Sequence, residues 1–286
     1  MSDLPYFHDL DPIALSLGPI AIHWYGLSYL CAFASFYWLA RARSRLYPEW
    51  DAEAISDMLF YGALGVIIGG RVGYALIYGW AEFSANPLSI LKIWTGGMSF
   101  HGGLLGVVVA MLIFARKKRR HPFDLLDFVA PCVPLGLGFG RLGNFINGEL
   151  WGRSTDLSWG MIFPQSLIAL GLSPAELKAQ YLAGALNGYA RHPSALYQMF
   201  AEGIVLFALL WLLTRKRTQR YFASGMFALL YGCLRFITEN FREPDPQMGY
   251  LAFGWLTTGQ ALSVPLIALG IGLIILSRRQ KDAALS

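Results

Sequence analysis

Seven apolar stretches, each about 20 residues long, dominate the chain of 286 residues. A helix rises about 1.5 Å per residue, so about 20 residues cross the ~30 Å hydrocarbon core of a bilayer. Only 14% of the residues are charged, whereas soluble domains carry about 25%. The sequence therefore predicts an all-α polytopic membrane protein with seven transmembrane helices. The predicted spans are about Ile20–Ala40, Met58–Trp80, Met98–Ala115, Leu125–Phe145, Ser194–Thr214, Phe222–Phe241 and Trp255–Leu276.

The Lys and Arg residues predict the orientation. Four short basic clusters always fall on the same side of the predicted spans, at residues 41–45, 116–120, 215–220 and 278–281. The positive-inside rule places these clusters in the cytoplasm, the N-terminus outside and the C-terminus inside. Because the basic residues sit between spans, the net charge of +5 does not indicate nucleic acid as a partner.

The longest connection, at residues 146–193, falls on the outer side and is too polar to span. Within it, Ser173, Pro174 and Glu176 form the pattern of a capping box, which predicts a helix that ends near Asn187–Gly188. We expect residues 1–286 to form a single integral membrane domain, with a small head on the outer side inserted at 146–193. The acidic N-terminal segment lacks a basic n-region, so we expect no cleaved signal peptide.

Three arginines fall inside predicted spans, at Arg71, Arg141 and Arg235. Each costs about 2.5–3.5 kcal/mol at a helix centre, so such residues usually have a function. Helical rise places all three in the outer half of the bilayer. Glu149 and Glu202 are available as partners, but a surplus of positive charge remains. This surplus predicts a bound anion, and a phospholipid phosphate is a group that Arg binds bidentately.

The sixth span carries a polar stripe at intervals of four, four and three: Tyr231, Arg235, Glu239 and Arg242. Those intervals place all four on one helical face. We expect Glu239 to neutralise Arg235 and Arg242. A self-contained ladder of ion pairs is the alternative to a binding site.

His101 lies at the outer end of the third span, beside Gly102 and Gly103. A helix N-terminus disfavours imidazolium, so a neutral ring could accept a proton there. Ser99 and His101 also suggest a hydrolase dyad, although the chain lacks a GxSxG elbow. No HExxH, CxxC or P-loop pattern occurs, so we expect no metal and no cofactor.

The stretch GRLGNFINGELWG, residues 140–152, resembles the signature of bacterial prolipoprotein diacylglyceryl transferases. Five further motifs resemble that family in its order, so the resemblance covers nearly the whole chain. One departure is Gln198, where the family is expected to favour an acidic residue. The five motifs are HWYG (23–26), GGRVGY (69–74), GGMSFHGGL (96–104), RHPSALY (191–197) and YGCLRFITENFREPD (231–245).

The resemblance implies transfer of the diacylglyceryl group of phosphatidylglycerol to the lipobox cysteine of a prolipoprotein signal peptide. It implies a multi-pass protein of the bacterial inner membrane with its active site toward the periplasm, among membrane lipids. Arg141 and Arg235 are then expected to hold the phosphate, and His101 is the candidate base. The expected substrate-binding residues are Tyr25, Asn144, Asn147, Glu149, Gly152, Tyr231 and Glu239, with Glu149 and Glu239 holding the arginines.

Two alternatives use the same residues. A lipid transporter or flippase could employ the buried arginines, but it would need a polar path across both leaflets and usually internal repeats. An intramembrane hydrolase could employ Ser99 and His101. The inner half of the spans is apolar and no repeat is visible, which argues against the transporter. The preference for the transferase comes from the resemblance, and Ser99→Ala would separate it from the hydrolase.

Overall fold

The structure is a computed structural model that describes residues 4–92, 96–244 and 249–285. It is mostly helical, with two small two-stranded sheets. The helices are α1 (Trp24–Arg43), α2 (Ala52–Ile77), α3 (Trp80–Ala85), α4 (Phe100–Lys117), α5 (Pro122–Val129), α6 (Pro134–Ile146), α7 (Pro174–Leu182), α8 (Ser194–Gln198), α9 (Leu206–Leu213), α10 (Phe222–Thr238) and α11 (Thr258–Leu285). The strands are β1 (Tyr6–Phe7), β2 (Ile13–Leu17), β3 (Ile20–His23) and β4 (Met161–Ile162).

Three helices of the described chain are long and apolar enough to cross a bilayer alone: Ala52–Ile77, Ser194–Leu213 and Thr258–Gln280. The pair Pro122–Cys132 and Pro134–Ile146 adds a fourth if its two pieces form one span. Helices α1, α4 and α10 cover the other three predicted segments. The chain is therefore a mostly helical membrane protein with three to four candidate spans, and the seven-span arrangement stays a prediction.

The long helices leave much of their apolar surface uncovered. Only 22% of the apolar window of α2 is buried, and Phe60, Ile68 and Leu76 of this helix are exposed. Large apolar surfaces of this kind indicate contact with another apolar phase. Lipid chains are the phase that a spanning helix meets.

Two boundaries differ from the sequence-based expectation. The predicted continuous span Leu125–Phe145 is interrupted by a 3-10 turn at Ala130–Cys132 and restarts at Pro134, because Pro131 and Pro134 lack the backbone N–H that a helix interior requires. The capping box at Ser173 and Glu176 is confirmed. Its helix α7, however, ends at Leu182, before the predicted end, because Gly184 takes a left-handed conformation with φ of +74°.

The chain divides into two compact units, residues 37–129 and the remainder. In the first, α2 and α4 pack backbone to backbone through glycines, among them Gly65, Gly69 and Gly106. The spacing of four residues between Gly65 and Gly69 places both on one face of α2, where the lack of side chains lets α4 approach closely. Within this unit, Trp50, Phe114 and Phe128 are fully buried and adjacent.

The other unit holds α6, α8 to α11 and the head. Between α8 and α9 the chain forms a π-helical segment, Met199–Val205. In the head, β1 pairs with β4 in parallel, so that Tyr6 faces Met161 and Phe7 faces Ile162. A small apolar core follows from this pairing: Phe7, Ile162, Leu167, Leu177 and Leu186. The N-terminal segment therefore contributes to the head.

Candidate active site

A fully buried carboxylate, that of Glu202, lies between two arginines from different helices. Arg141 of α6 donates from both Nε and Nη2 to Glu202 Oε2 at 3.3 Å. Arg235 of α10 donates from Nη1 to Glu202 Oε1 at 3.4 Å. The Arg141 side chain keeps 19% of its surface exposed, whereas Glu202 keeps none. Two guanidinium groups therefore share one anion, and one of them remains accessible.

Further ion pairs follow at the C-terminal end of α10 and in the 3-10 turn after it. Arg235 Nη2 lies 2.8 Å from Glu239 Oε2, and Arg242 Nη1 lies 3.6 Å from Glu239 Oε1. The predicted pairing of Glu239 with both arginines is confirmed. The hydroxyl of Thr257 also donates to Glu239 Oε1 at 3.3 Å. Glu239 therefore holds Arg235 through Nη2, while Glu202 holds it through Nη1.

Close helix packing brings Glu202 to the arginines. A Cβ added to Gly203 would lie 2.7 Å from the Cα of Gly138, so α6 and the π-helical segment touch through backbone atoms. The π turn widens the helix just where Glu202 emerges. Such turns inside helices are frequent at functional sites.

The motif turn that follows α6 forms a second polar group. Asn144 Nδ2 and Asn147 Nδ2 donate to the two oxygens of Glu149 at 3.3 Å and 3.1 Å. Glu149 thus orients the two amides, while the described ion pair of Arg141 is with Glu202. The role expected for Glu149, that of holding the arginines, falls instead to Glu202.

The remaining expected residues of this unit lie against these two groups. The Tyr231 hydroxyl interacts with Arg141, and the Tyr25 hydroxyl interacts with Asn144. Gly152 pairs with Arg242 in an isolated antiparallel bridge. A Cβ at Gly152 would lie 2.4 Å from the carbonyl oxygen of Phe241. The last residue of the motif at 140–152 therefore meets the end of the sixth predicted span only because it is glycine.

His101 belongs to the unit of residues 37–129 and is the second residue of α4, with an exposed side chain. The Ser99 hydroxyl is the N-cap of that helix and accepts from the backbone N–H of Gly102 at 3.2 Å. Ser99 is also buried. A capping role therefore explains this serine without nucleophilic chemistry.

Arg71, in the same unit, is buried and bonded to backbone carbonyls. Its guanidinium donates to Ile90 at 2.9 Å, to Ser89 at 2.7 Å and to the carbonyls of Gly96 and Gly97. It thereby fastens the segment that precedes His101. This arrangement agrees with a supporting role and does not place Arg71 in a phosphate site.

From the sequence, Glu202 is expected only as an available partner of the arginines and is not among the expected site residues. It is the one charged residue within Ser194–Thr214, and an ionisable residue inside a span is a functional-site hypothesis by default. That signal could have singled it out. The shared position between Arg141 and Arg235 depends on packing of three helices, which sequence spacing does not reveal.

Comparisons with known proteins identify the family of the chain. The family model described as prolipoprotein diacylglyceryl transferase matches residues 12–276. The phosphatidylglycerol–prolipoprotein diacylglyceryl transferase of Xanthomonas euvesicatoria pv. vesicatoria (strain 85-10) is 58% identical over 277 residues, 96% of this chain and 93% of the relative. The protein of the same name from Xanthomonas campestris pv. campestris (strain B100) is 57% identical over the same shares of both chains. The chain therefore belongs to the prolipoprotein diacylglyceryl transferase family.

Proposed function

We propose that this chain transfers the diacylglyceryl group of phosphatidylglycerol to the thiol of the lipobox cysteine in prolipoproteins. The products are a thioether and glycerol phosphate, and the reaction is the first step of lipoprotein maturation. One observation carries the proposal beyond family membership. Arg141 and Arg235 share the single carboxylate of Glu202, so Arg141 is not matched one to one and keeps an accessible surface for a phosphate.

The chemistry requires a negative charge to develop on the phosphate oxygen. The thiol sulfur attacks the diacylglyceryl carbon, the bond between that carbon and the phosphate oxygen breaks, and its electron pair leaves with glycerol phosphate. Preorganised cations beside the leaving oxygen stabilise this charge most in a site from which water is excluded. Arg141 and Arg235 are the proposed catalytic groups for this role, and Glu202 and Glu239 hold them in place.

The nucleophile needs a base. A thiol has a pKa of about 8.5, so only a few per cent is thiolate at pH 7. His101 is the proposed acceptor of the thiol proton. It is exposed and lies near the N-terminus of α4.

Head-group recognition is proposed for the polar turn after α6 and the two tyrosines beside the ion pairs. Asn144 and Asn147 present oriented amides because Glu149 accepts from both. Arg141 lies in the last turns of α6, directly before these amides, so both groups are at the same end of one helix. Tyr25, Tyr231, Glu239 and Gly152 complete the proposed substrate-binding set.

The proposed setting is the inner membrane of a bacterium, with seven spans, the N-terminus outside and the C-terminus in the cytoplasm. The alternating basic clusters of the sequence support this orientation. The head would then face the periplasm, where prolipoprotein signal peptides present their lipobox cysteine. Residues 1–286 would act as one membrane-embedded enzyme.

The deciding experiment is transfer in vitro from phosphatidylglycerol labelled in its diacylglyceryl part to a lipobox peptide. The wild-type chain is expected to label the peptide, and a peptide with Ser in place of Cys is expected to remain unlabelled. Arg141→Ala is expected to abolish labelling. Ser99→Ala separates the hydrolase alternative, because transfer should survive it whereas a serine hydrolase would lose activity.

A further inference from the structure

We propose that His8, a residue of the N-terminal segment outside every motif described above, is a positioning residue for the polar turn at 144–150. The inference rests on the proposed function of that turn in head-group recognition. It assigns to the N-terminal segment a role in the reaction centre. The alternative is that this segment only completes the core of the head.

The His8 side chain reaches the end of α6 directly. Its Nε2 lies 2.7 Å from the carbonyl oxygen of Phe145, and because a carbonyl only accepts, Nε2 carries the proton. The ring stacks on Phe163 at 5.2 Å between centroids and meets Phe145 edge-on at 5.0 Å. His8 is only 5% exposed. A buried imidazole is thus held by one hydrogen bond and two rings.

A backbone hydrogen bond anchors His8 in addition to the contacts of its ring. The His8 N–H donates to the carbonyl of Ile162 at 2.9 Å, which continues the parallel pairing of β1 with β4. The position of the ring is therefore set by the head. Through the hydrogen bond to Phe145, the head in turn fixes the end of α6.

The turn itself needs such support. The last carbonyls of a helix have no partner within the helix, and this turn contains left-handed residues at Gly148 (φ +68°) and Leu150 (φ +53°). Side chains from outside the turn donate to its carbonyls: His8 to Phe145, Gln165 to Asn147 at 2.7 Å, and Ser194 to Leu150. Of these three, the His8 bond is nearest to Asn144 and lies beside Gly148, whose Cβ position is 3.3 Å from the His8 ring.

The consequence concerns the amides of Asn144 and Asn147. Both must point at Glu149 at once, and this depends on the path of the backbone between them. Phe145 is in the middle of that path. The Phe145 carbonyl also accepts from the backbone N–H of Gly148 at 2.9 Å, so loss of the His8 hydrogen bond removes its tie to the head and leaves it held by the backbone of the turn itself. The turn can then shift, and displacements of about 1 Å near a reacting centre can reduce rates by up to a hundredfold.

The test compares three variants of the full chain in detergent or lipid. His8→Phe keeps an aromatic ring between Phe145 and Phe163 but removes the donor, and His8→Gln restores an N–H near the Nε2 position. Asp9→Asn is the matched control. Asp9 lies in the same segment as His8, but it binds Lys178 of α7 through an exposed ion pair at 2.7 Å. Hydrogen exchange of the peptide containing 144–150, the thermal midpoint, and kcat and KM for phosphatidylglycerol are measured for each.

We expect His8→Phe to speed exchange in 144–150 and to lower kcat about tenfold, with a thermal midpoint near that of wild type. His8→Gln should recover both quantities, and Asp9→Asn should change neither. Wild-type exchange and kcat in His8→Phe would overturn the inference, as would failure of His8→Gln to recover either quantity. A wild-type chain that transfers no label would refute the proposed function, while the exchange data would still decide whether His8 holds the turn.

Discussion

The guanidinium groups of Arg141 and Arg235 lie on different helices but share one carboxylate, that of Glu202, at 3.3 Å and 3.4 Å. This carboxylate has no exposed surface. Removal of one partner from a buried ion pair leaves an uncompensated charge, which costs about 3–5 kcal/mol. Arg141 therefore depends on Glu202 for its position, whereas Arg235 is also held by Glu239 at 2.8 Å. The site depends on a residue that need not touch the substrate.

Glu202→Gln is expected to reduce the transfer rate by a larger factor than it reduces the yield of folded protein. The glutamine keeps the volume but removes the negative charge, and it can accept a hydrogen bond at one oxygen only, so one of the two guanidinium groups loses its contact with residue 202. We expect kcat to fall about a hundredfold, with a lowered thermal midpoint. Initial rates with labelled phosphatidylglycerol and a thermal scan measure the two effects.

Asp57→Asn provides the control for that change. Asp57 pairs with Lys118 at 3.3 Å, and each side chain is about one-third exposed, at 36% and 33%. Exposed pairs of this type contribute about 0–1 kcal/mol, so activity and thermal midpoint should stay near wild type. Equal effects of the two substitutions would contradict the special role of Glu202.

Arg141→Lys is expected to fail as a conservative substitution. Arg141 contacts Glu202 through two nitrogens, Nε and Nη2, whereas lysine has one ammonium group and cannot present a planar pair of donors. We expect a loss of kcat/KM of at least tenfold, measured with the same transfer assay. Full activity in Arg141→Lys would show that a point charge suffices and that the bidentate arrangement is unnecessary.

Much of this arrangement follows from local sequence patterns, and the rest depends on contacts between distant segments. The sixth predicted span, Phe222–Phe241, closely matches α10 and the 3-10 turn after it, because residues three and four apart share a helical face. The function of Glu202 depends instead on how α6 and α10 approach the π-helical segment. The pairing of Phe7 with Ile162 joins strands 155 residues apart, and two-residue strands carry no periodic signal. The interruption at Pro131 and Pro134 had a signal, since proline disrupts a helix interior.

Gly69→Ala is expected to destabilise the packing of α2 against α4. A Cβ at this position would lie 2.3 Å from the carbonyl oxygen of Gly102 and 2.7 Å from the Cα of Gly106, so the two backbones must separate. Overpacking of this kind costs about 1–3 kcal/mol. A thermal scan in detergent should show a lower midpoint.

Gly62→Ala is the matched control on the same helix. Its added Cβ would meet only the Cε atom of Met111, at 3.9 Å, and alanine favours a helix over glycine by about 1 kcal/mol. We expect the thermal midpoint to stay level or rise. Similar losses in both variants would show that the close backbone contact at Gly69 is not the cause of the destabilisation.

The final prediction concerns the pH dependence of stability and His192, which lies at the end of the head, just before α8. Burial lowers the pKa of His192 below its ordinary value of 6.5. Between the folded and the unfolded pKa, the unfolded chain binds more protons, so the free energy of unfolding rises with pH. This contribution is fully present above about pH 6.5 and is lost as the pH falls through the folded pKa.

His192 Nδ1 lies 3.2 Å from the Tyr197 hydroxyl, which accepts from Trp159 Nε1 at 2.8 Å and can therefore donate to a neutral ring. His192→Gln should flatten the fall of the thermal midpoint between pH 6.5 and pH 5, whereas His23→Gln, at an exposed position, should leave that slope unchanged. A slope that His192→Gln does not alter would assign the acid sensitivity of the protein to other groups.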